Sequence, residues 1–192
     1  MKGQFFLLGA IVLIVLFFVG APLIQPPLSS PGNDLPFLLR NIKAEFPVAF
    51  NLGLNESNEL NVMRNFSSFL NRTLLDRRVN FSSLWVYSRN SSTNANITIG
   101  NFLGGNLTVN LTYIDTSINI ITGSTNSVNT PLFVPNAATN STILNKPGTP
   151  FNLTIRFGSR NTTIEWLRDK ANLYVHLEMG RGKDIVREEI TA

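Results

Sequence analysis

A run of 20 residues without a charged side chain constrains the folding of this chain more than any other feature. It covers residues 5–24 within the opening sequence MKGQFFLLGAIVLIVLFFVGAPLI. At about 1.5 Å per residue, a helix of this length spans about 30 Å, which is the thickness of the hydrocarbon core of a bilayer. We therefore expect residues 4–24 to form a transmembrane helix whose partner is membrane lipid.

The residues that flank this run favour a helix that is retained in the membrane, with the rest of the chain on the outside of the cell. The run ends on V-G-A, the nearest candidate for a signal-peptidase site, but Pro22 follows directly and makes that site a poor substrate. Lys2 and the amino terminus carry the only charges before the run, whereas Arg40 and Lys43 lie well beyond it. This asymmetry predicts a cytoplasmic N-terminus and an extracellular C-terminal domain.

The three residues Lys2, Gly3 and Gln4, placed directly before the apolar run, resemble the class III signal of archaeal type IV pilin-like proteins. In that family a prepilin peptidase cuts after the glycine, and the hydrophobic helix stays. The resemblance covers about the first 20 residues and implies a leader at residues 1–3, cleaved between Gly3 and Gln4. It also implies other surface or pilus subunits as partners. An uncleaved single-span anchor is the alternative.

A proline-rich linker follows the apolar run at residues 25–35. The sequence APLIQPPLSSPGNDLP carries five prolines, and proline removes a helical donor and clashes with the preceding turn. The membrane helix therefore cannot continue into the domain, and the linker is expected to be an extended tether. This favours a minor pilin-like or simply anchored surface protein over a filament-forming major pilin.

Two amphipathic helices are expected in residues 36–78, where apolar side chains recur at helical spacing. Pro36 fits the first turn of the first helix, and Pro47 is expected to kink or end it. The second helix is predicted over about residues 59–77 with Ser57 as its cap. Between them, AFNLGLNESN is interpreted as a turn.

From Val79 onward the apolar period changes from helical to two, most clearly in NLTVNLTY. The expected strands are residues 84–87, 106–113, 131–134, 151–157, 163–168, 173–178 and 184–190. Short strands with turn signals between them indicate an antiparallel sandwich. The predicted fold is an N-terminal transmembrane helix plus an extracytoplasmic α+β domain, in which two helices precede an immunoglobulin-like antiparallel β-sandwich over residues 79–192.

The motif Asn-x-Ser/Thr, the acceptor for N-linked glycan, occurs eleven times, whereas the composition predicts about four. A strand with one solvated face also produces this motif, because small polar residues alternate there with apolar ones. All the motifs lie beyond the apolar run, which agrees with an extracellular domain. The predicted N-glycosylation sites are Asn55, Asn65, Asn71, Asn80, Asn90, Asn96, Asn106, Asn110, Asn140, Asn152 and Asn161.

Residues typical of catalytic, metal-binding or cofactor-binding sites are scarce in this sequence. The net charge of +4 comes from scattered residues, so nucleic acid is not an expected partner. The absence of cysteine excludes disulfides and thiol chemistry. His176, the only histidine, is interpreted as a solvated strand residue. No metal, cofactor or catalytic residue is predicted and the chain is not expected to be an enzyme, although a carboxylate pair such as Glu165 with Asp169 stays open.

These features together predict a membrane-anchored, N-glycosylated, pilin-like or cell-surface protein with a structural or interaction role. The alternative is an anchored β-sandwich adhesin or envelope ligand-binding module that recognises glycan or another ligand. Trp85, Trp166 and Tyr174 are the expected contact residues of that module, provided that they are exposed.

Overall fold

A computed structural model describes residues 34–90, 94–114, 127–145, 151–167 and 170–192, and its helices and strands all belong to the compact unit Leu35–Ala192. The helices are α1 (Leu35–Asn55) and α2 (Glu59–Leu75). The strands are β1 (Asn80–Asn90), β2 (Asn94–Phe102), β3 (Leu107–Ile114), β4 (Ser127–Val134), β5 (Ala138–Asn145), β6 (Phe151–Phe157), β7 (Arg160–Trp166), β8 (Asn172–Arg181) and β9 (Asp184–Thr191).

The leader and the membrane helix predicted for the first 24 residues lie outside the described residues, as does nearly all of the linker. Among the residues that are described, no helix combines the length and the apolar character needed to span a membrane.

The strands pair antiparallel into two sheets, which confirms the expected sandwich-like arrangement. Sheet A has the order β5-β2-β1-β8-β9, and sheet B has the order β4-β3-β6-β7. One hydrophobic core lies between the sheets. A second lies between the helices and sheet A, with α1 over β8 and β9 and α2 over β1 and β2. Sheet A is therefore the middle of three layers.

The central strands of sheet A are buried on both faces because they lie between two layers. In β1, Trp85 and Tyr87 pack toward the helices, whereas Leu84 and Val86 pack toward sheet B. All four are at most 4% exposed. A strand covered on both faces needs no polar face, so the expectation of one solvated face holds for sheet B and not for the centre of sheet A.

The Trp85 side chain joins α2 to sheet A. Its Nε1 donates a hydrogen bond to Oγ of Ser67 at 3.0 Å, and this hydroxyl donates to the carbonyl of Met63 at 2.9 Å. Gly100 lies opposite Trp85 in the β1–β2 register, and a Cβ at this position would overlap the six-membered ring of Trp85. Glycine is therefore needed there because the indole lies flat against the backbone of β2.

The structure corrects the predicted helix boundaries. The first helix does not end at Pro47 but continues to Asn55. The turn predicted over AFNLGLNESN is therefore confined to the last three residues of that stretch. Phe46 and Phe50 on either side of Pro47 are at most 3% exposed, and their packing outweighs the hydrogen bond that the proline removes. Asn58, not Ser57, is the N-cap of α2.

Two strands were not predicted, and several differ in extent. The strands β2 and β5 are additional, β1 and β4 are longer than expected, and β7 begins three residues earlier than predicted. The sequence of β5, ATNSTILN, places a single fully buried apolar side chain, Leu144, on the core. An edge strand of this kind has too few apolar residues to show a clear period. The expected turn at Gly104 is confirmed, with a φ of 92°.

Candidate functional site

The outer face of sheet B, here called the sequon face, carries the polar residues that the sequence singles out. In β3 the inward residues Val109, Leu111 and Tyr113 are at most 4% exposed, so the alternate residues point outward. The register of the four strands extends this face to the following outward residues: Thr108, Asn110, Thr112, Asn129, Pro131, Phe133, Asn152, Thr154, Arg156, Asn161, Thr163 and Glu165.

Asparagine and threonine side chains align in rows across the sequon face. Thr112 lies opposite Thr154, which lies opposite Thr163, and the hydroxyls of the last two are 2.9 Å apart and hydrogen-bonded. Only Arg156 and Glu165 carry charge among the residues of this face. The face is therefore a hydrogen-bonding surface of low charge.

Four glycosylation motifs have both of their side chains on or beside this face. They are Asn106 with Thr108, Asn110 with Thr112, Asn152 with Thr154, and Asn161 with Thr163. Residues two apart in a strand point to the same side, so the strands present both side chains of the Asn110, Asn152 and Asn161 motifs outward. Asn106 is exposed and lies one residue before β3 begins. The strand period thereby brings together sites that are distant in sequence.

The Nδ2 atoms of these four asparagines, which would carry the glycan, are free of protein hydrogen bonds within the described part of the chain. Oδ1 of Asn106 accepts from the backbone N–H of Asn136, and Oδ1 of Asn161 accepts from Nε of Arg156. These bonds use the oxygen and leave the nitrogen unengaged. The geometry suits modification of the folded domain.

Other motifs are less suited to modification of the folded domain. At Asn65 the motif hydroxyl is that of Ser67, which is 0% exposed and bonded to Met63, because residues two apart in a helix point to nearly opposite sides. At Asn140 the Nδ2 atom itself donates to the carbonyl of Phe133 at 2.9 Å. At Asn96 the motif threonine, Thr98, is only 5% exposed.

The remaining predicted sites are dispersed. Asn55, Asn71 and Asn80 are exposed and lie away from the sequon face. The side chain of Asn90 and the predicted cleavage residues Gly3 and Gln4 lie outside the described residues.

The three aromatic residues expected to contact a ligand are buried, which overturns that part of the prediction. Trp85, Trp166 and Tyr174 are 0%, 1% and 1% exposed. Trp85 packs under α2, while Trp166 and Tyr174 belong to the core between the sheets. No binding surface of the folded domain can use these rings.

The interpretation of His176 as a solvated residue is also wrong. Its side chain is 2% exposed because sheet B covers this face of β8, and its ring lies 5.5 Å from that of Phe157. Burial lowers the pKa of His176 and the Arg160 guanidinium lowers it further, while Glu189 and Glu178 oppose the shift. The imidazole is therefore neutral near pH 7.

A cavity of about 260 Å³ opens beside His176 at one end of the sandwich, here called the His176 cavity. Ser82, His176 and Glu178 of sheet A face Ser159 and Arg160 of the β6–β7 hairpin across it. In the sequence, the only hint of this cavity is the set of polar residues that alternates with leucine and valine in LYVHLE.

Other candidate chemistry does not assemble in the described part of the chain. Glu165 is exposed on the sequon face, and Asp169 lies outside the described residues. Among the described residues, no three His, Asp or Glu side chains are grouped so as to hold a metal ion.

Comparison with protein-family models and with curated proteins finds no match to this chain. Its function therefore has to be inferred from the chemistry of its own surfaces.

Proposed function

We propose that this chain is a membrane-anchored, N-glycosylated cell-surface protein of the pilin-like kind that acts through contacts with other surface subunits. Its N-terminus would be cytoplasmic and its C-terminal domain extracellular. The observation that carries the proposal is the sequon face, where four glycosylation motifs lie together on or beside one outward face.

The low charge of the sequon face supports glycosylation. Twelve outward residues include only Arg156 and Glu165 as charged groups, whereas soluble surfaces usually rely on many charges of both signs. A bulky, hydrophilic glycan would keep such a face solvated. Asn110 and Asn161 are two strands apart, about 10 Å, and Asn106 is about 13 Å along the strand from Asn110, so neighbouring glycans would have room.

The strand order supports an immunoglobulin-like relationship as part of the proposal. In a constant-type immunoglobulin domain the sheets have the orders 1-2-5-4 and 3-6-7. Here the first seven strands have the orders β1-β2-β5 and β4-β3-β6-β7. The difference is that β4 lies at the edge of the other sheet, and that the β8–β9 hairpin extends sheet A beyond β1.

The outer side of α1 is the candidate surface for protein contacts. Phe37, Val48 and Leu52 are 67%, 60% and 43% exposed, and their spacing places them on one side of the helix. In α1 a glycosylation motif occurs only at its last residue, Asn55. This side would therefore stay clear of glycan while the sequon face is covered.

The test is intact-mass and peptide-mapping analysis of the protein isolated from the membranes of its own host. We expect a mature chain that begins at Gln4, with glycan at Asn106, Asn110, Asn152 and Asn161. A matched variant, Thr154→Ala, should lose the mass of one glycan only.

The two parts of the proposal fail separately in this experiment. A chain that still begins at Met1 would reject pilin-like processing and leave an uncleaved anchor. Unmodified peptides at all four sites of the sequon face would reject glycosylation of that face. Glycan at Asn65 or Asn140 would show that modification precedes folding of the domain.

An anchored ligand-binding module is the second candidate, favoured by the His176 cavity rather than by the aromatic residues first expected to bind. Binding by this cavity is compatible with either role, because the cavity lies between the sheets and not on the outer side of α1.

A further inference from the structure

The outer edge of β9 carries a row of backbone groups that have no partner in the described part of the chain. Leu173 and Ala192 exchange two hydrogen bonds, at 2.6 and 2.9 Å. Bonded pairs alternate with non-bonded pairs in an antiparallel ladder, so the register assigns the bonds to β8 to Val186, Glu188 and Ile190. The alternate residues of β9 turn their N–H and C=O groups away from β8: Ile185, Arg187, Glu189 and Thr191.

The other three sheet edges are each obstructed. The edge strand β4 contains Pro131, which has no N–H to donate. Two backbone N–H groups of β5 already donate to the side chains of Asn140 and Tyr113. A glycan at Asn161 would crowd the edge of β7. By contrast, β9 has no proline and no glycosylation motif, and it pairs with β8 in continuous register over Asp184–Thr191, without a bulge. Its edge is therefore open to another strand.

The charges of β9 select the register of such a strand. Arg187 and Glu189 lie on one side of the strand with 51% and 42% of their side chains exposed. Arg187 binds Glu178 through Nε at 2.6 Å, so its terminal nitrogens have no partner within the described residues. If β9 pairs antiparallel with a second β9 and the two-fold axis lies at Glu188, Arg187 of each copy faces Glu189 of the other. An axis at Arg187 or Glu189 would instead place like charges opposite each other, which is unfavourable.

The register centred on Glu188 also satisfies the backbone. Ile185 faces Thr191 of the second copy and Arg187 faces Glu189, so all four outward residues of each edge pair, with two hydrogen bonds in each pair. At the centre, Glu188 faces Glu188 of the second copy. Each of these carboxylates is bound by Lys43 of its own copy at 2.7 Å, which offsets their repulsion.

We propose that β9 pairs antiparallel with β9 of a second copy of this chain, so that two five-stranded A sheets join into one continuous sheet. A second copy fits because a strand with a base two residues before an acid is complementary to itself when antiparallel. The contact is isologous, so the pair is closed. The inference extends the proposed role in surface contacts without resting on it, since the open edge and the charges that select the partner belong to β9 itself.

The test is disulfide cross-linking of the full-length chain in detergent micelles, since the chain has no cysteine of its own. In the proposed dimer the two residues at position 188 form a non-bonded pair with Cα atoms about 4.5 Å apart, within the range of a disulfide. Glu188→Cys should therefore give a covalent dimer on a non-reducing gel after mild oxidation. Ile143→Cys is the matched control, because Ile143 is 60% exposed on β5, the opposite edge of the same sheet. Its dimer yield should be lower by at least about tenfold.

Charge variants in the Glu188→Cys chain test the register. Arg187→Glu and Glu189→Arg each place like charges across the junction and should reduce the dimer yield by at least about tenfold. Mixing these two variants, one of them carrying a tag that changes its mass, should restore a mixed dimer, because an acidic edge then faces a basic one. Recovery in the mixture also shows that both variants are folded.

Three results would overturn the proposal. They are the absence of a dimer with Glu188→Cys, an equal yield from Ile143→Cys, and a mixture of the charge variants that does not recover. Absence of the dimer in the pure chain would leave the β9 edge to a strand of a different protein. None of these results bears on leader cleavage or glycosylation, which the mass analysis tests separately.

Discussion

At the scale of single residues, Gly100 has the closest neighbour among the described glycines, because the Trp85 ring occupies the space that a Cβ would need. The indole is completely buried and lies against the backbone of β2 while its nitrogen is bonded to Ser67 of α2. The ring can move neither toward the helix nor toward the strand without breaking one of these contacts. The position next to it therefore tolerates no side chain.

Replacing Gly100 with alanine should destabilise the domain by about 1–3 kcal/mol, because the added methyl group overlaps the Trp85 ring and forces it from its site. The free energy of unfolding in urea measures this loss. Gly105→Ala is the matched control, since a Cβ there meets no atom within 4 Å. Its effect should stay within about 0.5 kcal/mol. Equal stability of the two variants would contradict the predicted fit.

His176 is the residue whose burial has a consequence for pH. Because its pKa is lowered in the folded domain, the fold disfavours the charged imidazole. The stabilisation is present above the unfolded pKa of about 6.5 and is lost as pH falls through the lowered folded pKa. The charged groups around it are Arg160 on β7, Glu178 on β8 and Glu189 on β9.

We therefore expect the His176 ring signal of the folded chain to titrate with a midpoint below 6.5, and that of the urea-unfolded chain near 6.5. The free energy of unfolding should decrease between pH 6.5 and 5, by at most about 1.4 kcal/mol per pH unit. His176→Gln should flatten this part of the stability profile. A folded midpoint at or above 6.5 would show that the carboxylates outweigh burial.

At the scale of helices and strands, two ion pairs among the described residues connect the helices to sheet A, and their surroundings differ. Arg89 of β1 binds Glu59 at the start of α2 at 3.1 Å, and the Glu59 side chain is only 8% exposed. Lys43 of α1 binds Glu188 of β9 at 2.7 Å, with both side chains about two-fifths exposed. The shorter pair is thus the more solvated one.

Arg89→Ala should therefore cost more stability than Lys43→Ala, despite the shorter distance of the Lys43 pair. Loss of Arg89 leaves a nearly buried carboxylate without its cation, at a cost of about 1–3 kcal/mol. Loss of Lys43 leaves Glu188 in contact with water, at a cost of up to about 1 kcal/mol. Urea unfolding of both variants ranks them, and the reverse order would refute this account.

At the scale of the whole molecule, the helices act as the cover of sheet A. The residues that face them from the sheet are large and apolar, and each is at most 5% exposed: Phe81, Trp85, Tyr87, Leu173, Val175, Leu177 and Met179. Removing the helix layer would expose side chains that each contribute about 1.5–3 kcal/mol when buried. For these seven side chains the sum is about 10–21 kcal/mol, which is as large as or larger than the usual stability of a domain, about 5–15 kcal/mol.

A chain of residues 35–192 should accordingly fold, and one of residues 79–192 should not. We expect a single cooperative urea transition for the first, and aggregation or strong binding of a hydrophobic dye for the second. Cooperative unfolding of the unmodified shorter chain would show that the sandwich is stable without its helices.

The sequence by itself determined the features that depend on local period. The two helices, the alternation in β3 and the turn at Gly104 were predicted because each is encoded within a few consecutive residues. The same period places the Asn110, Asn152 and Asn161 motifs of β3, β6 and β7 with both side chains outward. The sequence of a single strand does not indicate which strand pairs with it. The assembly of these motifs on one face of the sheet could therefore not be predicted.

Only the tertiary structure decided which faces are covered. His176 has the sequence neighbours of a solvated residue, yet sheet B lies over it, and Trp85 is buried because α2 lies over β1. Pro47 remains inside α1 because Phe46 and Phe50 pack against the rest of the domain. In each case the deciding free energy comes from burial against residues that are distant in sequence, and a local pattern carries no information about them.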